Sequence, residues 1–492
     1  MASPVFRLYD TMSRQVEEVT PLEPDHLRMY TCGPTVYNVA HIGNFHTFLT
    51  SDLIVRTAQA LGWRVSHVSN ITDVGHLTES DVSDGSEDRM AKGLHSKEGS
   101  AFANVWDLAD HYASLYKEDS RRLNLLEPMV RPRATQHIRE QILAAEKLVK
   151  NGHAYETPTG VYFSVKSFKG YGKLSGNKDQ ESLKRAVRNV VTDDNKRHPA
   201  DFALWKKDDK HLMQWYSPFG WGFPGWHLEC TVMAQTYLGE TIDLHAGGED
   251  LVFPHHECEI AQSECLTGKP FCNHWVHTRF LQVEGEKMSK SEGNFYSVRD
   301  LVDEMGADPL AVRYALIAGV YGKPMNFTLQ GLRDAAGNIE RFQQCDAWAV
   351  KALAKGPFGP DELGPTLDGL YEECLVAMCD DLNTAVALAK ALEGTRAILR
   401  EGEAMSKASA ASARAFLDKT NGLLGIVRPE SPGCTPKAPG VDEGRILALI
   451  EERGEAKKGR DFARADAIRS QLESEGIELR DGPEGTTWRR RV

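Results

Sequence analysis

Apolar and polar positions along the chain change period several times, and each change marks an element. Arg28-Met29-Tyr30-Thr31 alternates as a strand entering a core does, and Gly33-Pro34 ends the run. Over residues 45–61 the apolar positions Phe48, Leu49, Ile54, Val55, Ala58 and Leu61 recur at helical spacing, with Gly62 as the stop. Val65, Val68 and Ile71 then lead into a second strand. Strand, crossover helix and strand within this length predict a parallel βαβ unit, whose ligands sit at the carboxyl ends of the strands.

The same pattern predicts helices over 101–126 and 138–150, then a hairpin that uses Tyr155 and residues 161–165. Residues 125–199 read as an insertion, and the sheet is expected to resume at 201–206. A helix begins at Gly225, a strand spans 242–245, and Pro254 opens another helix in a favoured first-turn position. Beyond a strand over 280–283 the chain turns helical, with segments at 310–318, 329–353, 367–399 and 404–424 that suit a bundle. Pro and Gly gather over 429–440, and two helices and a β-ribbon close the chain.

A length of 492 residues fits about three domains. With 41% hydrophobic and 26% charged residues the chain has ample core, and no apolar run reaches bilayer length. The first residues hold no secretory-type stretch, and nine cysteines without a CxxC pair suit reduced thiols, so a cytoplasmic setting is expected. The net charge of −12 lends no support to a nucleic-acid partner, although a local basic stripe can still serve one.

Two loops carry candidate chemistry. His41, Gly43 and Asn44 stand where the chain turns from the first strand into its helix, and helix-start N–H groups favour a phosphate. Gly43 permits close backbone approach, and His41 can donate to a phosphate oxygen. Far downstream, Lys287-Met288-Ser289-Lys290-Ser291 offers two lysines and two hydroxyls for a polyphosphate whose charge grows during displacement. Gly247-Gly248 allows close approach to a nucleoside, and Asp250 can accept from ribose hydroxyls; a simple turn is an equal reading of these glycines. The pairing of HIGN with KMSKS resembles the class I aminoacyl-tRNA synthetases, which implies a Rossmann-like fold closing both loops over ATP.

Cys32, Cys230, His255 and Glu259 form a plausible Zn²⁺ ligand set, the last two sharing a helix face at a spacing of four. Buried cysteines more often serve as small hydrophobes, and spacing alone does not choose these from nine. More specific are TCGPTVY at 31–37, GWHLEC at 225–230 and FPHHECE at 253–259. With RPRAT at 131–135, YGKLSG at 171–176 and DFALWK at 201–206, they resemble the cysteinyl-tRNA synthetase family over nearly the whole chain.

The resemblance implies an α/β architecture: a Rossmann-like parallel-sheet catalytic domain (1–124 and 200–328) with an insertion (125–199). A helical bundle (329–428), a linker (429–440) and a small mixed α/β, anticodon-binding-like domain (441–492) follow. It implies ATP-dependent ligation of L-cysteine to the cysteine tRNA through a cysteinyl-adenylate, by a monomer holding one zinc ion, with Mg²⁺ accompanying ATP. His41, Asn44, Lys287 and Lys290 are the expected catalytic residues, and His41, Gly43, Asn44, Gly247, Gly248, Asp250 and Lys290 the ATP-binding ones. Cys32, Cys230, His255 and Glu259 would hold the zinc, with Thr72 and Trp226 flanking the cysteine pocket and Trp488-Arg489-Arg490-Arg491 offered to RNA.

Two departures are visible: Asn44 stands where the general class I box has histidine, and Val74-Gly75-His76-Leu77 replaces an acidic-basic run. An amide cannot carry charge, so proton transfer at Asn44 is disfavoured. Three other readings are weighed. An amino-sugar ligase of the mycothiol type would lack the closing module. A non-catalytic RNA-binding paralogue would not need intact ATP loops. A thiol enzyme using Cys32 with His41 leaves KMSKS unexplained.

Overall fold

The computed structural model describes residues 4–74, 89–96, 99–177, 193–289, 293–428, 443–459, 461–474, 477–482 and 485–490. The 429–440 linker and Gly75-His76-Leu77 lie outside them. At the centre is a parallel sheet of four strands in the order Cys272–Thr278, Ile242–Gly248, His26–Thr31, Arg64–Ser69. Chain order runs outward in opposite directions from the middle pair, so the crevice above Thr31 and Gly248 is a topological switch point. Leu27, Met29 and Tyr30 are fully buried, as strands covered on both faces require.

The helix Ile42–Ala60 follows the first of these strands. It is buried over most of its circumference because the bundle covers the face turned away from the sheet. That sandwiching explains why its apolar residues do not keep to one stripe. One continuous core runs from Met29 on the sheet through Leu49 and Leu316 to Phe416 in the bundle.

The segment expected to resume the parallel sheet does not do so. Phe202–Lys207 pairs antiparallel with Gly160–Phe163 on one side and Gly220–Pro224 on the other, in a separate five-stranded sheet. Apolar periodicity marks it as a strand but says nothing of its partner. The helical run over 367–399 is likewise two helices, Gly364–Cys379 and Thr384–Glu401. Between them Asp381 and Leu382 take φ of 55° and 48°. The Asp381 carboxylate accepts from Tyr9 N (2.8 Å) and the Tyr321 hydroxyl (2.5 Å), so remote contacts hold this left-handed break.

Leu329–Lys355 and Lys407–Leu424 complete the bundle. The closing segment consists of Glu443–Lys458, Phe462–Ser474 and an antiparallel ribbon, Ile477–Gly482 with Gly485–Arg490. It packs on Ile468, Leu472, Ile477 and Leu479. Among the described residues no helix is long and apolar enough to cross a membrane.

Two histidines are held uncharged, His46 buried on the helix Ile42–Ala60 and His67 half-buried on the strand Arg64–Ser69. His46, whose Nδ1 donates to Leu316 O at 2.9 Å, and His67, 3.0 Å from the Thr31 hydroxyl, are both held down at about 4 by burial. Below about pH 6.5 the unfolded chain takes up protons that the fold refuses. Stability is therefore expected to fall from about pH 6.5 towards 4, read as a declining urea midpoint.

Candidate active site and metal centre

Cys32 follows the strand His26–Thr31 directly, with its N–H donated to Ala246 O across the switch point (3.2 Å). Cys230 lies one turn into the helix Trp226–Leu238. His255 ends an irregular turn, and Glu259 stands on the first turn of Glu257–Thr267. These three remote stretches converge, so that the four ligand atoms lie within 4.8 Å of one another and all four residues are buried. Cys32 Sγ is 3.9 Å from Cys230 Sγ and 3.8 Å from Glu259 Oε1, and His255 Nε2 is 3.0 Å from the same oxygen.

Charge within the cluster is balanced among its own members. Burial opposes the Glu259 carboxylate, yet His245 and His255 hold it at about 2. Burial also opposes the His255 imidazolium, yet Glu259 and Cys230 raise it to about 10. Against burial, hydrogen bonds from Cys32 and His255 hold the Cys230 thiol at about 6, while burial and Cys230 push Cys32 well up. The protein alone thus keeps a proton on His255 where negative ligands need a positive charge. Two sulfurs, one imidazole and one carboxylate at about 3–4 Å edges suit a tetrahedral soft dication, so the residues fit a metal of zinc type.

Four further histidines adjoin the cluster, and no spacing argument singles them out: His227 Nδ1 is 3.0 Å from His255 Nδ1. His245 Nε2 is 2.9 Å from Glu259 Oε2, and His256 Nε2 is 3.3 Å from Cys32 Sγ. His256 Nδ1 lies 2.7 Å from His277 Nε2, whose other nitrogen is 2.7 Å from the Thr11 hydroxyl. Cys32, His245, His256 and Glu259 form a second grouping that could hold a metal. The signal in the sequence is that His245 and His277 both fall near carboxyl ends of adjacent parallel strands.

Thr72 and Trp226 border the same space. The Thr72 hydroxyl donates to Glu229 Oε1 at 3.0 Å, and the Trp226 ring centroid is 4.4 Å from that of His255. Glu229, inside GWHLEC, carries no role in the sequence pattern; its Oε2 is buried without a hydrogen-bond partner among the described residues, and burial raises its carboxyl well above the usual range. Three of the other strings act as supports. Thr135 of RPRAT gives both its N–H (2.9 Å) and hydroxyl (2.7 Å) to Asp73, beside Thr72. Leu174 and Ser175 of YGKLSG donate their N–H groups to Glu257, which opens the metal-site helix. Asp201 of DFALWK accepts from Tyr155, Val165 and His198 in the antiparallel sheet.

The two ATP-loop motifs meet. Ile42 N donates to Tyr296 O at 2.9 Å, and the rings of His41 and Phe295 are 5.2 Å apart. A side chain added at Gly43 would lie 3.0 Å from Met288, so KMSKS packs where HIGN has no Cβ. His41 and Asn44 form a capping box: His41 Nδ1 accepts from Asn44 N (3.2 Å), and Asn44 Oδ1 accepts from His41 N (3.0 Å). Because Nδ1 accepts, the proton of neutral His41 sits on Nε2, leaving that atom as a donor. Asn44 keeps only its amide N–H groups for a ligand.

Lys287 is exposed at the end of a short hairpin, whereas Lys290 lies outside the described residues. A Cβ at Gly247 would come 2.8 Å from the His256 ring, and one at Gly248 2.4 Å from Asp250, which is itself exposed. Trp488, Arg489 and Arg490 run in the closing ribbon with side chains that are outside the description, as is Arg491 altogether.

Residues 18–337 match the family model for the tRNA synthetases class I (C) catalytic domain, and 375–428 match the DALR domain. A cysteine–tRNA ligase of Salinibacter ruber is 54% identical, over 100% of this chain and 99% of that relative. The chain belongs to the cysteine–tRNA ligase family. A second member, from Chlorobaculum tepidum, is 39% identical over 98% of each chain. The synthetase also shares its fold with Mycobacterium tuberculosis methionyl-tRNA synthetase in complex with methionyl-adenylate. That likeness has a TM-score of 0.58 at 15% identity and covers 89% of this chain and 96% of the other. The family synthetase charges tRNA, and its buried Cys/His/Glu cluster could hold a metal.

The purified synthetase is expected to carry about one divalent ion per chain. Cys230→Ala and Glu259→Gln should each lose most of it on dialysis, read by elemental analysis beside the unaltered protein.

Proposed function

We propose that the synthetase joins L-cysteine to the cysteine tRNA through a cysteinyl-adenylate, with zinc held by Cys32, Cys230, His255 and Glu259 selecting the thiol. The observation that carries this reading is the convergence of those four buried donors at the switch point, beside the strand that leads into HIGN. Zinc bound there would supply a Lewis-acid position at which thiolate sulfur outcompetes a neutral hydroxyl. Shape alone would reject serine poorly, since exchanging oxygen for sulfur barely changes size.

In the first step the cysteine carboxylate attacks the α-phosphorus of Mg²⁺-ATP and pyrophosphate leaves. The carboxylate needs no deprotonation at neutral pH, so the protein's task is to align it and to meet charge on the phosphates. His41, with its proton on Nε2, donates to phosphate oxygen, and Asn44 assists through its amide N–H. Lys290 neutralises the departing polyphosphate and Lys287 supports it. Gly247, Gly248 and Asp250 take the nucleoside side, where glycines keep the wall flat. Thr72 and Trp226 bound the amino acid. In the second step a terminal ribose hydroxyl of the tRNA attacks the adenylate carbonyl and AMP leaves, with the bundle and closing module holding the tRNA body.

Pyrophosphate exchange should proceed with cysteine and run about 100-fold slower or worse with serine, a margin that chelation removes. Equal rates for both amino acids would sink the selection argument. Lys290→Ala should slow exchange by about 100-fold or more while the KM for cysteine stays close to the parent value.

A further inference from the structure

Beneath the ATP loops lies a cluster of charge with no part in the chemistry described so far. Asp52 stands between two guanidinium groups, Arg56 Nε at 2.8 Å and Arg313 Nη2 at 2.5 Å, and all three residues are buried. Guanidiniums buried in the interior are costly unless charges and dipoles answer them. They do. Arg313 donates to Leu424 O (2.8 Å), Leu123 O (2.9 Å) and Asn124 O (3.0 Å). Arg56 donates to Asn421 O and Gly422 O (both 3.1 Å) and to Asn124 O (2.6 Å). Asn421, Gly422 and Leu424 close the helix Lys407–Leu424, whose last carbonyls form the negative end of its dipole.

The three charges belong to different working parts. Asp52 and Arg56 sit on Ile42–Ala60, the helix that begins at HIGN. Arg313 is on Pro309–Ile317, which follows KMSKS. The carbonyls of Asn421, Gly422 and Leu424 belong to the last helix of the bundle, and those of Leu123 and Asn124 follow the helix Val105–Arg122. Asn124, with φ of 57°, sends its amide to Gly425 O (3.0 Å) and Arg428 O (3.2 Å), a second tie to the same end. Gly425 has φ of +67°, and a Cβ there would lie 2.7 Å from the Arg313 guanidinium. Apolar packing alone would let these helices slide by fractions of an ångström, whereas forked hydrogen bonds fix one register.

We propose that Asp52, Arg56 and Arg313 are positioning residues that tie the seating of tRNA on the helical bundle to the alignment of both ATP loops. The inference rests on the reading that the bundle carries the tRNA body. In Arg313→Met the Asp52–Arg56 pair survives, and the bundle end loses its link to the KMSKS side. Charging kcat is expected to fall about tenfold or more, while the KM for tRNA and the pyrophosphate-exchange rate stay within about threefold of the parent. Asn124→Gly keeps the left-handed backbone, removes the second tie and should show the same split at smaller size, with circular dichroism and thermal midpoint near the parent. Exchange and charging falling in equal proportion, or charging unchanged in both variants, would overturn the proposal. A parent protein that exchanges but charges no cysteine tRNA would instead defeat the underlying reading of tRNA use.

Discussion

Charge buried away from water has to be answered by other charge or by dipoles, and at the sheet's switch point this demand is concentrated. Glu259, Cys230 and Cys32 bring acidic groups into an interior without solvent. His255 and His245 answer them in the protein itself, each about 3 Å from the Glu259 carboxylate. A soft dication would take over that role and release the proton from His255. The histidines behind the ligands continue the answer outward, from His256 to His277 to Thr11. The cluster is thus shaped first by an electrostatic requirement.

The rest of the catalytic half serves to hold that place still. The parallel register of Met29 with Leu244 and of Thr31 with Ala246 sets Cys32 beside Gly247 and Gly248. Asp73, fixed by Thr135, steadies the strand end that carries Thr72, and Glu257 fastens the YGKLSG loop to the metal-site helix. The capping box at His41 does two jobs with one set of atoms. It starts the helix and fixes which imidazole nitrogen bears the proton.

A second buried demand, at Asp52, Arg56 and Arg313, is answered by the shared carboxylate and by helix-end carbonyls. One apolar core runs from the sheet into the bundle, so the two are not separate bodies joined by a flexible strap. Any load placed on the bundle has a short, stiff route to the helix that begins at HIGN.

Local periodicity in the sequence determined most elements. The βαβ unit, the helix Ile42–Ala60, the bundle helices and the closing ribbon all follow from the spacing of apolar residues and from turn chemistry, because side-chain period reflects local geometry and burial. HIGN and KMSKS stand out as a pair through family resemblance, since either loop alone reads as an ordinary turn. The choice of Cys32 and Cys230 among nine cysteines came from family resemblance and not from spacing. Only the tertiary structure decided that Phe202–Lys207 joins the antiparallel sheet, that Asp381 breaks a helix, and that Glu229, His245, His256 and His277 crowd the metal site. Strand pairing, remote hydrogen bonds and metal convergence depend on distances of a few ångströms between residues hundreds of positions apart, and no local pattern records such distances.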